Sequence, residues 1–258
     1  MQQPARNQAP SPQARLYIWP DHWQLWGHLL ANRTHRHSSA SLLVGLEGPF
    51  ELECEGQWRT TRAALVAPDV PQALNPGQTD MWVVQLDPDS RPWLQLKGLL
   101  EGQPSRDLDP AIASLAEQPP ADCGAMQQAL AALLARYGRP LQPLDERVVA
   151  CCRILRRDMP ERLNLADLAA RVGLSPSRLT HLFRSETGVS LRRFLLQLKM
   201  HRAMNCWAPG KTVSELAVEA GFYDQPHLVR TARELFDALP SAYAGTGWLQ
   251  VCRCDLAP

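Results

Sequence analysis

The sequence predicts an α+β chain of two domains, a β-sandwich or barrel followed by an all-helical unit, and three observations carry that prediction. Short apolar runs separated by turn residues fill the front half, and a helical pattern is written twice in the back half. Between them lies GRPLQPL, Gly138 to Leu144, with two prolines and no periodicity, the composition of a stiff linker. At 258 residues the chain is long enough for two cores.

Residues 1–14, rich in Gln, Pro and Ala, have too little apolar surface to order themselves and are expected to form a tail. Residues 15–98 are expected to form the β-domain. Its strands are LYIW (Leu16 to Trp19), QLWGHLL (Gln24 to Leu30), SLLVGL (Ser41 to Leu46), FELECE (Phe50 to Glu55), QWRTTR (Gln57 to Arg62), ALVA (Ala64 to Ala67) and MWVVQL (Met81 to Leu86). FELECE alternates strictly, with Phe50, Leu52 and Cys54 on one face and three glutamates on the other, and Gly56 supplies a tight turn.

Residues 99–144 change to helical texture. Ala121 to Tyr137 places Ala125, Met126, Ala129, Leu130, Leu133 and Leu134 in one apolar stripe ended by Gly138, and Ala111 to Glu117 is expected as a partner helix. Such a stripe suits a domain core or a subunit interface, and near Asp122 to Tyr137 we assign it to dimerisation. Asp145 is a candidate N-cap for a helix reaching about Asp158, where Pro160 stops it. Residues 145–244 form the helical unit, and 245–258 a packed or frayed tail containing Cys252 and Cys254.

The formal net charge of +1 hides an asymmetry, with 11 Lys+Arg against 14 Asp+Glu in residues 1–144, and 15 against 11 in 145–250. The positive back half suits a polyanionic partner. Seven cysteines, an odd number without framework spacing, point to a reducing compartment. The N-terminus lacks a basic start and an apolar run, and no stretch approaches the ~20 apolar residues of a membrane span. The expected location is the cytoplasm, with no membrane partner.

The repeat is the most informative feature. LADLAARVGLSPSRLTHLFRSETG, Leu165 to Gly188, is followed by VSELAVEAGFYDQPHLVRTARELFD, Val213 to Asp237, with one extra residue in the second turn. Each copy reads as helix, Gly-centred turn, helix. Ala169 and Ala217 are small where two helices cross, and Gly173 and Gly221 occupy the turns. Ser175 and Asp224 are N-caps with Pro176 and Pro226 in the first turn. Ser190 to Trp207 reads as one connecting helix that buries Leu191, Phe194, Leu195, Leu198 and Met204. The repeat helices bury Leu179, Leu182 and Phe183 in one copy, and Leu228, Ala232, Leu235 and Phe236 in the other. This exposes Ser177, Arg178, Thr180, His181 and Arg184, then Gln225, His227, Arg230, Thr231 and Arg233. These donors and acceptors can reach base edges, and the arginines can hold guanine or phosphate. A helical packing unit with solvated polar faces is the alternative.

On LADLA, VGLS, RLTHLFRSETGVS, SELAVEAGF and LPSAY, the segment from about Asp145 to Tyr243 resembles the AraC/XylS class of transcription regulators. The resemblance implies a tandem helix-turn-helix whose helices Pro176 to Ser185 and Gln225 to Phe236 enter successive major grooves of double-stranded DNA, about 34 Å apart. Ser177, Thr180, His181, Gln225, His227 and Arg230 would read bases, and Arg178, Arg184 and Arg233 would hold phosphate. The second copy departs from the family pattern: Val229, Ala232, Asp237 and Ala244 replace the usual small polar residue, aromatic, glycine and arginine. The first copy is therefore expected to carry more of the specific recognition.

The family also implies an N-terminal sensor, often a cupin-like barrel. Thr34 to Leu74 follows the cupin order of His-x-His strand, glycine turn, hairpin and Pro-rich loop. His35 and His37 stand where cupins place metal ligands, but the Ser41/Leu42 region replaces the carboxylate and Gln72 the last histidine. We therefore expect no metal and no cofactor, and assign His35, His37, Gln72 and Trp82 to an organic effector. Six of the eight tryptophans fall in this half and could wall such a pocket. The implied whole is no enzyme. It is a homodimeric regulator, an activator by preference, that answers a small-molecule effector and acts on RNA polymerase. The alternative is a cupin-type metal-dependent enzyme or metal sensor using His35 and His37.

Overall fold

The computed structural model describes residues 13–208, 210–237 and 249–254. Its β-part contains β1 (Ala14–Ile18), β2 (His22–Gly27), β3 (His35–Arg36), β4 (Ala40–Gly45), β5 (Phe50–Cys54), β6 (Gln57–Thr61), β7 (Ala63–Val66), β8 (Pro71–Asn75), β9 (Met81–Leu86) and β10 (Ser105–Asp107). With β11 (Leu249–Arg253) they form two sheets, ordered β10-β7-β4-β9-β2-β1-β11 and β3-β8-β5-β6. The seven strands read from apolar runs are all present, shifted by at most three residues at either end. β3, β8, β10 and β11 are too short or too polar to show a two-residue period.

Alternation along the larger sheet creates two apolar layers. Leu16, Ile18, Trp23, Leu25, Leu43, Met81 and Val83 face Phe50, Leu52 and Leu74 of the smaller sheet and fill the barrel interior. Leu42, Val44, Trp82, Val84 and Leu86 face outward under the helices. Leu52 and Phe50 are buried as expected, but so is Glu53, at 4% exposure. The Glu53 carboxylate accepts from the Thr34 hydroxyl and from the Gly56 amide across the Glu55-Gly56 turn, so local bonds compensate its burial.

The helices are α1 (Arg91–Leu96), absent from the sequence reading, α2 (Cys123–Tyr137), α3 (Glu146–Asp158), α4 (Leu165–Arg171), α5 (Pro176–Thr187), α6 (Leu191–Cys206), α7 (Val213–Glu219) and α8 (Gln225–Phe236). The expected partner helix is a 3-10 segment, Pro110–Leu115, capped by Asp109. Met126, Ala129, Leu130 and Leu133 of α2 are buried in the chain's own core, so the stripe assigned to dimerisation is spent on packing within the chain. That core is continuous through Leu144 and Val148 to Leu179, Phe183 and Phe194, and the linker is thereby anchored at Leu144.

The expectations for the two ends of the chain are refined. Ala14 already lies in β1, so the N-terminal tail is shorter than residues 1–14; residues 1–12 lie outside the described residues. The C-terminal tail is no frayed end where it is described. β11 pairs in parallel with β1, and Cys254 forms a disulfide with Cys123, 131 residues away. Cysteine spacing could not reveal this pair, because only the docking of β11 brings the two together. Ala244 and the LPSAY segment lie outside the described residues.

Candidate nucleic-acid interface

The two helix-turn-helix units form as the repeat implies. Ala169 and Ala217 are fully buried at the helix crossings. Gly173 and Gly221 adopt φ of +68° and +79°. A side chain at Gly173 would meet open space, so backbone conformation, not crowding, is what calls for glycine there. Ser175 caps α5 by accepting from the Arg178 amide, and Asp224 caps α8 by accepting from the His227 amide. In α7 a capping box joins Thr212 and Glu215.

In α5, Leu179 and Phe183 are fully buried and Leu182 is half-buried. Phe183 packs edge-on to Phe194 at 5.4 Å between centroids. Ser177, Arg178, Thr180, His181 and Arg184 are all exposed. Leu165, Pro176, Ser177, Thr180, His181, Arg184 and Ser185 line an open hollow of ≈ 570 Å³. The Thr180 hydroxyl donates to the Pro176 carbonyl at 2.9 Å, leaving its oxygen lone pairs and methyl group for an outside partner.

α8 is less open. Gln225, Arg230 and Arg233 are exposed, but His227 is half-buried, edge-on to Phe222 at 5.2 Å. Burial, with Lys199 and Arg230 nearby, lowers its pKa and favours the neutral ring. The Gln225 carbonyl accepts from the Ser214 hydroxyl at 2.7 Å, so its amide donors stay free to point outward. Thr231, expected on the exposed face, is buried, because it stands three residues after Leu228 on the same side of the helix.

Both units are gripped by the β-domain through pairings the sequence did not single out, with Asp69, Arg193 and Arg33 as the unforeseen partners. Asp69 sits between Arg193 of α6, at 3.0 Å, and Arg184 of α5, at 3.5 Å. Arg193 also holds Glu234 of α8 at 2.8 Å and donates to the Arg36 carbonyl at 2.7 Å. Arg33 clasps Asp237, the residue that ends α8. Phe236 does not close the core of its own unit alone. It lies 6.0 Å from Trp23 and 5.4 Å from His37 and packs against the barrel interior. Behind, Arg156 of α3 pairs with the fully buried Asp87 at 2.8 Å and with Asp89. Most of these pairs join residues more than a hundred positions apart, so no local pattern could announce them.

Of the four residues assigned to an effector, three gather and one does not. His35 and His37 share a hydrogen bond between their Nε2 atoms at 2.8 Å, and Gln72, opposite His35 in the β3–β8 register, donates to the Ser41 hydroxyl. Burial keeps both imidazoles neutral, His37 most strongly. Trp82 points the other way, toward the helices, with its indole N–H on Gln24. Among the described residues no group of three His, Cys, Asp or Glu side chains is arranged to hold a metal.

Residues 168–246 match a family model described as "Helix-turn-helix domain". The chain is 28% identical over 103 residues to the arabinose operon regulatory protein of Escherichia coli, covering 39% of this chain and 35% of that protein. It is 27% identical over 128 residues to the Msm operon regulatory protein of Streptococcus mutans, covering 46% and 45%. The matches thus span less than half the length of these curated relatives. In structure it is similar to an apo single-site variant of ToxT from Vibrio cholerae, with a TM-score of 0.56 at 11% identity over 89% of this chain and 94% of that one. It is also similar to wild-type ToxT with an unsaturated fatty acid bound, with a TM-score of 0.55 at 11% identity over 92% and 96%. At such identity the likeness speaks for the fold: an N-terminal β-domain ahead of a helical helix-turn-helix domain. The C-terminal part of this chain thus carries a helix-turn-helix domain similar to those of AraC-type operon regulators.

Proposed function

We propose that the chain is a one-component regulator, with no catalytic activity of its own, in which the β-domain controls how the two DNA-binding units are presented. One observation carries this reading: the β-domain holds groups from both units at once, Arg184 of α5 through Asp69 and the end of α8 through Arg33 and the Trp23–His37 seat. A residue poised for phosphate is thus tied to a carboxylate, and α8 is held against the barrel. A small effector that binds better to the released form shifts the population toward it.

In this reading Ser177, Thr180, His181, Gln225, His227 and Arg230 face bases, and Arg178, Arg184 and Arg233 face phosphates. α5 leads, because its whole set is exposed whereas His227 is half-buried. The effector approaches the His35, His37 and Gln72 corner, where the Trp23 indole N–H and His37 Nδ1 are buried without hydrogen-bond partners. Trp82 has no part in it. That ToxT is known with a bound unsaturated fatty acid supports an apolar small molecule as effector. The output is activation through RNA polymerase by a homodimer, and the dimer contact lies outside the buried stripe of α2. We divide the chain into residues 15–98, 99–144 and 145–244, with β11 returning to the β-domain.

Selection of bound duplexes from a random-sequence library with the full chain tests this. The expected result is a site with two preferred segments one helical turn apart, the stronger one lost in His181→Ala. Recovery of arbitrary sequences would overturn it.

A further inference from the structure

β11 does more than extend a sheet. Its backbone runs along β1 from Ala14↔Leu249 to Ile18↔Arg253, and the Cys254 amide donates to the Ile18 carbonyl at 2.9 Å. Leu249 and Val251 pack toward the barrel interior. Cys252 and Cys254, two residues apart, share the opposite face, and Cys254 is bonded to Cys123, the first residue of α2. Arg253 turns toward the helical domain. Its Nε donates to the Asn205 carbonyl at 2.7 Å and its Nη2 to the Trp207 carbonyl, at the C-terminal end of α6. That end is already shared between domains, since Met204 packs on the barrel core while Cys206 and Trp207 pack with α7 and α8.

We propose that Cys123–Cys254 is a redox modification site, and that its state sets how firmly the second helix-turn-helix unit is held to the β-domain. With the disulfide formed, Arg253 stands on a strand covalently tied to α2, so the end of α6 is fixed. Reduction by a dithiol cleaves the sulfur–sulfur bond. Two electrons and two protons pass to Cys123 and Cys254, and the dithiol closes to its own cyclic disulfide. A low-molecular-weight disulfide reverses the step and leaves as two thiols. In the reduced chain β11 is an edge strand that has lost its covalent tie to α2, and its grip on α6 weakens. Cys252, a half-buried neighbour on the same face, is a bystander in this scheme.

The test uses the full chain, equilibrated with oxidised or reduced dithiothreitol. Alkylation followed by mass spectrometry reads the thiols, and amide hydrogen exchange reads the elements. Oxidised protein should leave Cys123 and Cys254 unalkylated, and reduction should expose both. Exchange should then rise several-fold in β11, at the end of α6 and in α8, with α5 little changed. Cys252→Ser should behave as the parent, and Cys123→Ser should resemble the reduced protein under oxidising conditions. Arg253→Ala should loosen the end of α6 with the disulfide intact, which separates the grip from the staple. Full alkylation of Cys123 and Cys254 in oxidised native protein would overturn the proposal. So would reduction that loosens β11 and leaves α6 and α8 unchanged. These readouts need no DNA, so they stand apart from the test of DNA recognition.

Discussion

Arg33 and Asp237, 204 residues apart, meet in a two-pronged ion pair: Nη2 lies 2.8 Å from Oδ1, and the Arg33 backbone amide donates to Oδ2, also at 2.8 Å. The contact gives Asp237 a role at a helix end whose backbone would suit glycine. Asp237 ends α8 at φ +48°, a conformation that favours glycine and that Asp tolerates at modest cost. In exchange its carboxylate reaches the β-domain, and the bonds from Arg33 hold its pKa below the usual carboxylate range.

Replacing Asp237 with Asn keeps a residue suited to that backbone and removes the charge. Asp237→Asn and Arg33→Ala should each raise affinity for a selected duplex, by about two- to fivefold as befits an exposed pair. Fluorescence anisotropy measures this, and in the double mutant the two gains should not add.

Arg184 should show two opposed effects. Arg184→Ala removes a phosphate contact, lowering affinity on all sequences and the salt slope by about 1. Asp69→Asn, which frees Arg184 and Arg193, should instead raise affinity with the slope retained. Salt titrations of both variants check the pair.

The junction should loosen in mild acid. His37 is buried and neutral, facing His35, Arg193 and the Phe236 ring, with Arg33 and Asp237 beside His35; its pKa lies well below 6.5. The form with α8 released therefore binds more protons below pH 6.5, and the form with α8 held against the barrel is disfavoured by about 1.4 kcal/mol per pH unit per proton in that window. Asp237, already ionised there, lets go only below the ordinary carboxylate range. Hydrogen exchange of α8 should rise between pH 7 and 5.5, and His37→Gln should flatten that rise.

Leu130 in α2 is fully buried against the chain's own core. Leu130→Ala should cost about 2–5 kcal/mol of unfolding free energy. Chemical denaturation at several protein concentrations should return the same loss, since the contact is intramolecular.

By itself the sequence determined the local design. Short apolar runs bounded by turn residues marked the strands that carry both apolar layers, and Ser175, Asp224, Gly173 and Gly221 marked the caps and turns of both units. Capping and positive φ depend on residues within a few positions of each other, so they are legible in one dimension. The exposed set of α5 followed from helical periodicity, and in α8 it failed at Thr231 and at half-covered His227. Tertiary structure alone decided what the ends of the elements touch. The Cys123–Cys254 bond, Asp69 between Arg184 and Arg193, Phe236 against Trp23 and His37, and the Arg33 clasp on Asp237 all join distant segments. Only tertiary packing sets those distances, and the contacts between domains tie the helix-turn-helix units to the β-domain.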